Sequence, residues 1–200
     1  NNGGFMVITL EGEDGRGWNV QPMSADLVYI QHVIETMETM PFIDATTRRL
    51  GGMSAGDFAS ELTACYIGAD VIVVGAGGVA WPPDGLAPPN PADCVGPVDV
   101  FKHHGTADNI VPVARAHEAR DLWVAVKGCT DPVVLAPEDE PALWCNGENL
   151  TPVPSRIPPD PCSCTRWTCD GGGLVYCEDG GEHDWFPQHK AYGFEVFTSQ

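Results

Sequence analysis

Short unbroken apolar runs alternate along this chain with stretches in which apolar residues recur every three or four positions. Phe5-Met6-Val7-Ile8-Thr9-Leu10, closed by Glu11-Gly12, is the first such run, and it predicts a buried parallel strand. From Ser24, a suitable N-cap, Leu27, Ile30, Ile34, Met37 and Met40 keep helical spacing until Pro41, which predicts an amphipathic helix of about four turns. A more polar approach, Thr46-Thr47-Arg48-Arg49-Leu50, leads into Gly51-Gly52-Met53-Ser54-Ala55-Gly56 and a second helix through Leu62 and Cys65. Val71-Ile72-Val73-Val74-Gly75 reads as another buried strand, and Val98-Asp99-Val100-Phe101 as a strand ending at His103-His104-Gly105. Residues 112–126 have helical spacing through Val113, Ala116, Leu122 and Val126. Leu174-Val175-Tyr176-Cys177 is a further strand, and a last helix is predicted over 188–197. Residues 81–97 and 136–161 are Pro-rich and read as loops.

Strands alternating with helices define an α/β class with a mostly parallel sheet and flanking helices. No repeat and no sharp boundary divides the chain, so one domain over 1–200 is expected, with a Cys- and Pro-rich, loop-rich insertion over 129–177. That insertion is expected near the active-site end of the sheet. Two hundred residues suffice for one substantial core.

Charge narrows the partners. The formal net charge is −18 and the chain has three lysines, which argues against nucleic acid, since phosphate binding needs clustered Lys and Arg. The apolar run over 71–81 is broken by Gly and Ala and falls short of the roughly 20 residues of a membrane helix, so no membrane partner is expected. Asn1-Asn2-Gly3-Gly4 opens directly onto the apolar run with no leader pattern, which suits a mature form or a fragment.

Eight cysteines, Cys65, Cys94, Cys129, Cys145, Cys162, Cys164, Cys169 and Cys177, admit two readings. Zinc sites typically use C-x₂₋₄-C pairs with a second pair or histidines at matched spacing, and the tightest group here, Cys162-Ser163-Cys164 with Cys169 and Cys177, contains no C-x₂-C. Disulfides are the better reading, with no metal, and they favour a secreted, extracellular protein. Cys65 with Cys94 is the pair expected first, both lying near one strand's approach. Asn149-Leu150-Thr151 is a glycosylation sequon.

Gly52-Met53-Ser54-Ala55-Gly56 has the G-x-S-x-G form of a nucleophile elbow, in which small residues let strand and helix crowd around a strained serine. The Ala55 amide then points where an oxyanion forms. A serine needs a base and an imidazole needs a carboxylate, and both follow in the order known for such sites: Asp108 in His104-Gly105-Thr106-Ala107-Asp108, then His183 in His183-Asp184-Trp185. Rival readings stand beside these. Ser54 also suits an ordinary helix N-cap, Asp108 a turn cap, Asp184 the acid, and His103 or His104 the base. His32, His117 and His189 read as surface or satisfied residues, and Glu138-Asp139-Glu140 as a solvated loop.

These motifs together resemble the polyhydroxybutyrate depolymerase and feruloyl esterase-like secreted esterases. The matching residues are Gly52 to Gly56, Cys65 after the following helix, His104 to Asp108, and Gly181-Glu182-His183-Asp184-Trp185. Cys164, Trp167, Cys169 and Val175 add to the match, as do Gly15-Arg16-Gly17-Trp18-Asn19 and Trp123 with Gly128-Cys129. The resemblance runs from about Phe5 onward, so the chain is N-terminally shortened against that family.

What the resemblance implies is an α/β-hydrolase fold and a carboxylic-ester hydrolase with Ser54, His183 and Asp108 as triad and Ala55 as oxyanion donor. It further implies no cofactor, a polymeric or small ester as substrate, and His104 beneath the site. Trp185 is expected to pack beside the catalytic loop or line the substrate pocket. The family's second oxyanion amide comes from an upstream His-Gly loop that has no match here. Asp57 stands where the family has a small residue, and Phe186 separates Trp185 from Pro187. The missing amide and the polar Arg48-Arg49 approach leave an alternative: a catalytically weak or inactive secreted binding protein on the same scaffold.

Overall fold

In the computed structural model, residues 6–12, 17–19, 24–43, 46–79, 88–95, 98–136 and 163–184 are described. Their order is α1 (Ala25–Glu38), β1 (Arg49–Met53), α2 (Ala55–Tyr66), β2 (Val71–Gly75), β3 (Asp99–Gly105), α3 (Ala114–Val126), β4 (Thr130–Val134), β5 (Ser163–Cys169) and β6 (Gly172–Asp179), with a 3-10 turn at Pro91–Asp93. The strands form one sheet in the order β1-β2-β3-β6-β5-β4. The first four run parallel, with Met53 beside Gly75, Gly75 beside His103, and Gly105 beside Asp179. β5 pairs antiparallel with both β6 and β4. This is the α/β class that alternation along the sequence predicts.

Side-chain alternation assigns the two faces. Ile72, Val74, Val100 and Leu174 point to one side, where Ala64 and Cys65 of α2 and Trp123 of α3 cover them. Val71, Val73, Phe101, Val175 and Cys177 point to the other, with Leu135 and Cys164. β2 is buried along its whole length, as a central parallel strand should be. Burying each such Val, Ile or Phe contributes about 1.5–3 kcal/mol. α1 begins at Ser24, whose Oγ accepts from the Leu27 amide at 3.3 Å, and Leu27 and Ile30 pack on Leu62 of α2.

Several expectations need correction. Residues 6–10 form no strand and are largely exposed, with Val7 79% exposed. Apolar character alone does not make a strand, because the backbone also needs a ladder partner, and the pairing of β1 runs to β2. Only Leu10 reaches the α1–α2 cluster. The strand before Ser54 is shifted to Arg49–Met53, is half-buried and stands at the end of the strand order among the described residues. Arg48 just before it donates to the carbonyls of Ile67 and Gly68 at the end of α2 and pairs with Glu38. Within the 129–177 segment, β4 and β5 extend the sheet and were not expected as strands. The 3-10 turn lies inside the expected 81–97 loop, most of which falls outside the described residues. So do most of the 136–161 loop, the acidic run Glu138-Asp139-Glu140, the sequon at Asn149 and the helix over 188–197.

Cys65 bonds Cys94, as expected, joining the end of α2 to the approach to β3. Cys129–Cys169 ties the start of β4 to the end of β5, and Cys164–Cys177 crosses from β5 to β6. No cysteine among the described residues is free; Cys145 and Cys162 lie outside them. Replacing Cys65 and Cys94 together by alanine is expected to lower stability by about 3–4 kcal/mol, as for a closed loop of this order of length. Urea unfolding of the double variant checks this, and an unchanged midpoint would contradict it. No described helix is long and apolar enough to cross a membrane.

Candidate active site

Ser54 sits where β1 passes into α2. Its backbone has φ 56° and ψ −121°, a region costly for a residue with a Cβ, on the order of 1–3 kcal/mol. The surroundings hold it there. Its amide donates to Gly75 O at 2.9 Å, continuing the β1–β2 ladder, and its carbonyl accepts from the amides of Asp57 and Phe58 at 2.9 and 3.2 Å. Gly52 is required for this turn: a Cβ there would lie 2.2 Å from Gly56 O and 2.3 Å from Gly56 C. Gly56 is different, since a Cβ on it would meet nothing within 4 Å, so the expected crowding applies to Gly52 and not to Gly56. Gly56 borders a groove of about 310 Å³ lined by Val7, Leu10, Trp18, Leu50 and Ser60 among others. The serine side chain makes no N-cap hydrogen bond, which removes the capping reading of Ser54.

Asp108 follows β3. Its Oδ1 accepts from the amides of Ile110 and Val111, both at 2.8 Å, and its Oδ2 accepts from His183 Nδ1 at 2.7 Å. Turn cap and partner of the histidine are therefore one residue. The side chain is fully buried. His183 follows β6, is 15% exposed, and its Nε2 lies 2.8 Å from Ser54 Oγ. With Nδ1–H donating to Asp108, Nε2 is left to accept the serine proton. Ser54, Asp108 and His183 thus meet at the carboxyl ends of parallel strands β1, β3 and β6, although 129 residues separate the serine from the histidine.

The two loops that carry Asp108 and His183 are sewn together. The Thr106 amide and hydroxyl both donate to Asp179 O, at 2.7 and 2.9 Å, and the Ala107 amide donates to Gly181 O at 2.9 Å. Gly105 permits the approach: a Cβ there would stand 2.3 Å from Gly181 O and 2.5 Å from Glu182 O. His103 Nε2 bonds Asp179 Oδ2 at 3.0 Å, and Asp179 Oδ1 accepts from the Gly181 amide at 2.6 Å, bracing the start of the histidine loop.

The rival residues fall elsewhere. His104 is buried beneath the loop, its Nε2 donating to Val111 O at 2.9 Å, and burial pulls it down to about 4, so it stays neutral. His103 is committed to Asp179. Asp184 lies in the loop beside His183, its amide donating to Glu182 O, while the His183 ring faces Asp108. His117 pairs with Glu178 across the α3–β6 packing, and His32 is exposed on α1. His189 and Trp185 lie outside the described residues. Ala55 is the first residue of α2, so its amide has no acceptor within the helix.

Three residues near the site escape a reading based on motifs: Asp57, Glu61 and Lys102. Lys102 Nζ lies 3.0 and 2.8 Å from the two Asp57 carboxylate oxygens and 3.1 Å from Glu61 Oε1, all three side chains being fully buried. The signal was present. Lys102 follows Val100 on the inward face of β3, and Asp57 and Glu61 share one face of α2 at i, i+4 spacing. Among the described residues no group of three or more His, Cys, Asp or Glu is arranged to hold a metal ion.

The fold and this geometry define an α/β protein with a Ser–His–Asp hydrogen-bonded chain at the carboxyl edge of its sheet. No family model matches the chain, and no curated protein matches it.

Proposed function

We propose that the protein is a serine esterase with an α/β-hydrolase-like catalytic domain, acting through a Ser54 acyl-enzyme. The observation that carries this reading is the continuous chain Ser54 Oγ–His183 Nε2, His183 Nδ1–Asp108 Oδ2, at 2.8 and 2.7 Å, on a serine held at positive φ. His183 takes the Ser54 proton as Oγ attacks the ester carbonyl, then gives it to the departing alcohol. Water repeats the cycle and releases the acid. Asp108 fixes the imidazole tautomer and stabilises its cation. The Ala55 amide, at the positive end of α2, donates to the tetrahedral oxyanion. None of these steps uses a cofactor.

The motif resemblance to polyhydroxybutyrate depolymerases and feruloyl esterases suggests polyhydroxyalkanoate or feruloyl-polysaccharide esters, or smaller esters of those acids, as substrates. The three disulfides among the described residues suit a secreted enzyme working outside the cell. The polar approach to Ser54 has a structural role, since Arg48 closes the end of α2.

Hydrolysis of p-nitrophenyl butyrate, methyl ferulate and a polyhydroxybutyrate suspension tests the reading and the substrate class together. Turnover on at least one is expected. Asp108→Asn should lower it by about 10⁴-fold, because the amide favours the wrong histidine tautomer. No turnover on any of the three would leave a binding protein.

A further inference from the structure

Asp57, in the first turn of α2 directly behind Ser54, belongs to the Asp57–Lys102–Glu61 cluster, which no step of acyl transfer uses. It nevertheless holds the turn that presents the serine. The Asp57 amide donates to Ser54 O at 2.9 Å, and the Asp57 carboxylate binds Lys102 on β3 through both oxygens. Gly77, after β2, closes the third side. Its amide donates to Asp57, and a Cβ on it would lie 2.6 Å from Asp57 Cβ and 2.8 Å from Ser54 O. Helix α2, strand β3 and the loop after β2 are thus fastened at one carboxyl group, three residues from the nucleophile.

The cluster's charges do not balance. One ammonium faces two carboxylates, all fully buried, so ionising both acids leaves an unpaired negative charge out of water. Among the described residues, the other elements packed against it supply no second cation. α3 presents the indole of Trp123 to Glu61, the loop after β2 presents the Gly77 amide, and the next inward residue of β3 is His104, itself neutral. Burial is the dominant influence on both acids and outweighs the pull of Lys102, driving Asp57 up to about 8 and Glu61 upward as well. Burial works against the Lys102 charge too, but Asp57 and Glu61 overcome it and hold the ammonium above its ordinary range.

We propose that Asp57 is a positioning residue for Ser54, and that the Asp57–Glu61 pair holds one shared proton whose loss in mild alkali lowers the reactivity of the serine. A second negative charge would then sit at the end of α2 whose amides face the developing oxyanion, and oppose it. The effect on Ser54 rests on the esterase reading; the shared proton does not.

Linkage gives the sign. The folded protein keeps a proton on Asp57 that the unfolded chain releases near 3.8, so stability declines as pH rises from about 4 to about 8 and levels off above that. Removing either acid leaves one carboxylate on one ammonium, and this dependence disappears.

The test compares wild type, Asp57→Asn and Glu61→Gln, two near-isosteric variants. Thermal midpoints are measured from about pH 5 to 9, and the rate of Ser54 modification by a fluorophosphonate from about pH 7 to 9.5. The wild-type midpoint is expected to fall with pH relative to both variants. Its labelling rate is expected to fall about fivefold over the alkaline range, while both variants stay within about twofold, the size expected of one nearby screened charge. Parallel midpoints would overturn the shared proton, and parallel labelling profiles would overturn its influence on Ser54. A wild type that never labels would remove the esterase reading and that influence with it, while the midpoints still decide the proton.

Discussion

Replacing His183 by alanine is expected to lower ester turnover by about 10⁶-fold, and adding Ser54→Ala to it should cost almost nothing more. The reason lies in the geometry. A serine hydroxyl is a weak nucleophile, and among the described residues His183 Nε2, 2.8 Å from Ser54 Oγ, is the base placed to take its proton. The neighbouring histidines cannot substitute, since His103 is bonded to Asp179 and His104 to Val111 O under the loop. Residues that act as a unit lose their joint effect when either is removed, so the double variant is the sharper test. Steady-state kinetics on a p-nitrophenyl ester provides it. Near-wild-type turnover in His183→Ala would assign the base elsewhere.

Gly105→Ala should be almost as informative, although Gly105 touches no substrate. Its added Cβ would meet Gly181 O and Glu182 O at 2.3 and 2.5 Å, backbone atoms that cannot rotate aside. The loop after β6 must therefore move away from β3, and that loop sets His183 against both Asp108 and Ser54. A displacement near 1 Å in a reacting array costs about 10²-fold in turnover, which is the loss expected here. The β3–β6 ladder below the loop has no such clash, so circular dichroism should still report a folded protein. Unchanged turnover would mean that the loop tolerates the shift and that its backbone contacts do not position His183.

What the sequence revealed depended on how locally each feature is encoded. The β2 strand was legible because four consecutive β-branched apolar residues leave a central parallel strand as the simplest place to put them. The start of α1 was legible because Ser24 stands three residues before the amide it caps. Gly52 and Ser54 were legible because the turn between β1 and α2 demands a serine at positive φ beside a residue with no Cβ. The apolar run over 5–10 misled, since its strand reading needed a ladder partner that lies far along the chain, and no local pattern supplies one. β4 was hidden by its exposure: Thr130, Asp131 and Pro132 look like a loop, yet a marginal strand tolerates all three. In β5, Cys164, bonded to Cys177 of β6, does the inward packing that aliphatic residues do elsewhere, so the alternation was masked.

The candidate site shows the same division. Each triad residue belongs to a short motif, but only the topology brings the three to one edge. Asp57, Glu61 and Lys102 have no motif. Asp57 looked like a departure from the esterase pattern, and its partner is 45 residues away on another element. Only the inward face of β3 and the inward face of α2, taken together, explain why a lysine and two acids occupy core positions.

The most direct measurement is modification of the intact protein by a fluorophosphonate, with the attachment site located by peptide mass spectrometry. One phosphonyl group on Ser54 is expected, abolished in Ser54→Ala and slowed at least about 10³-fold in His183→Ala, since the probe reacts with an activated hydroxyl and not with an idle one. Attachment at other residues, or equal labelling of wild type and His183→Ala, would contradict the account.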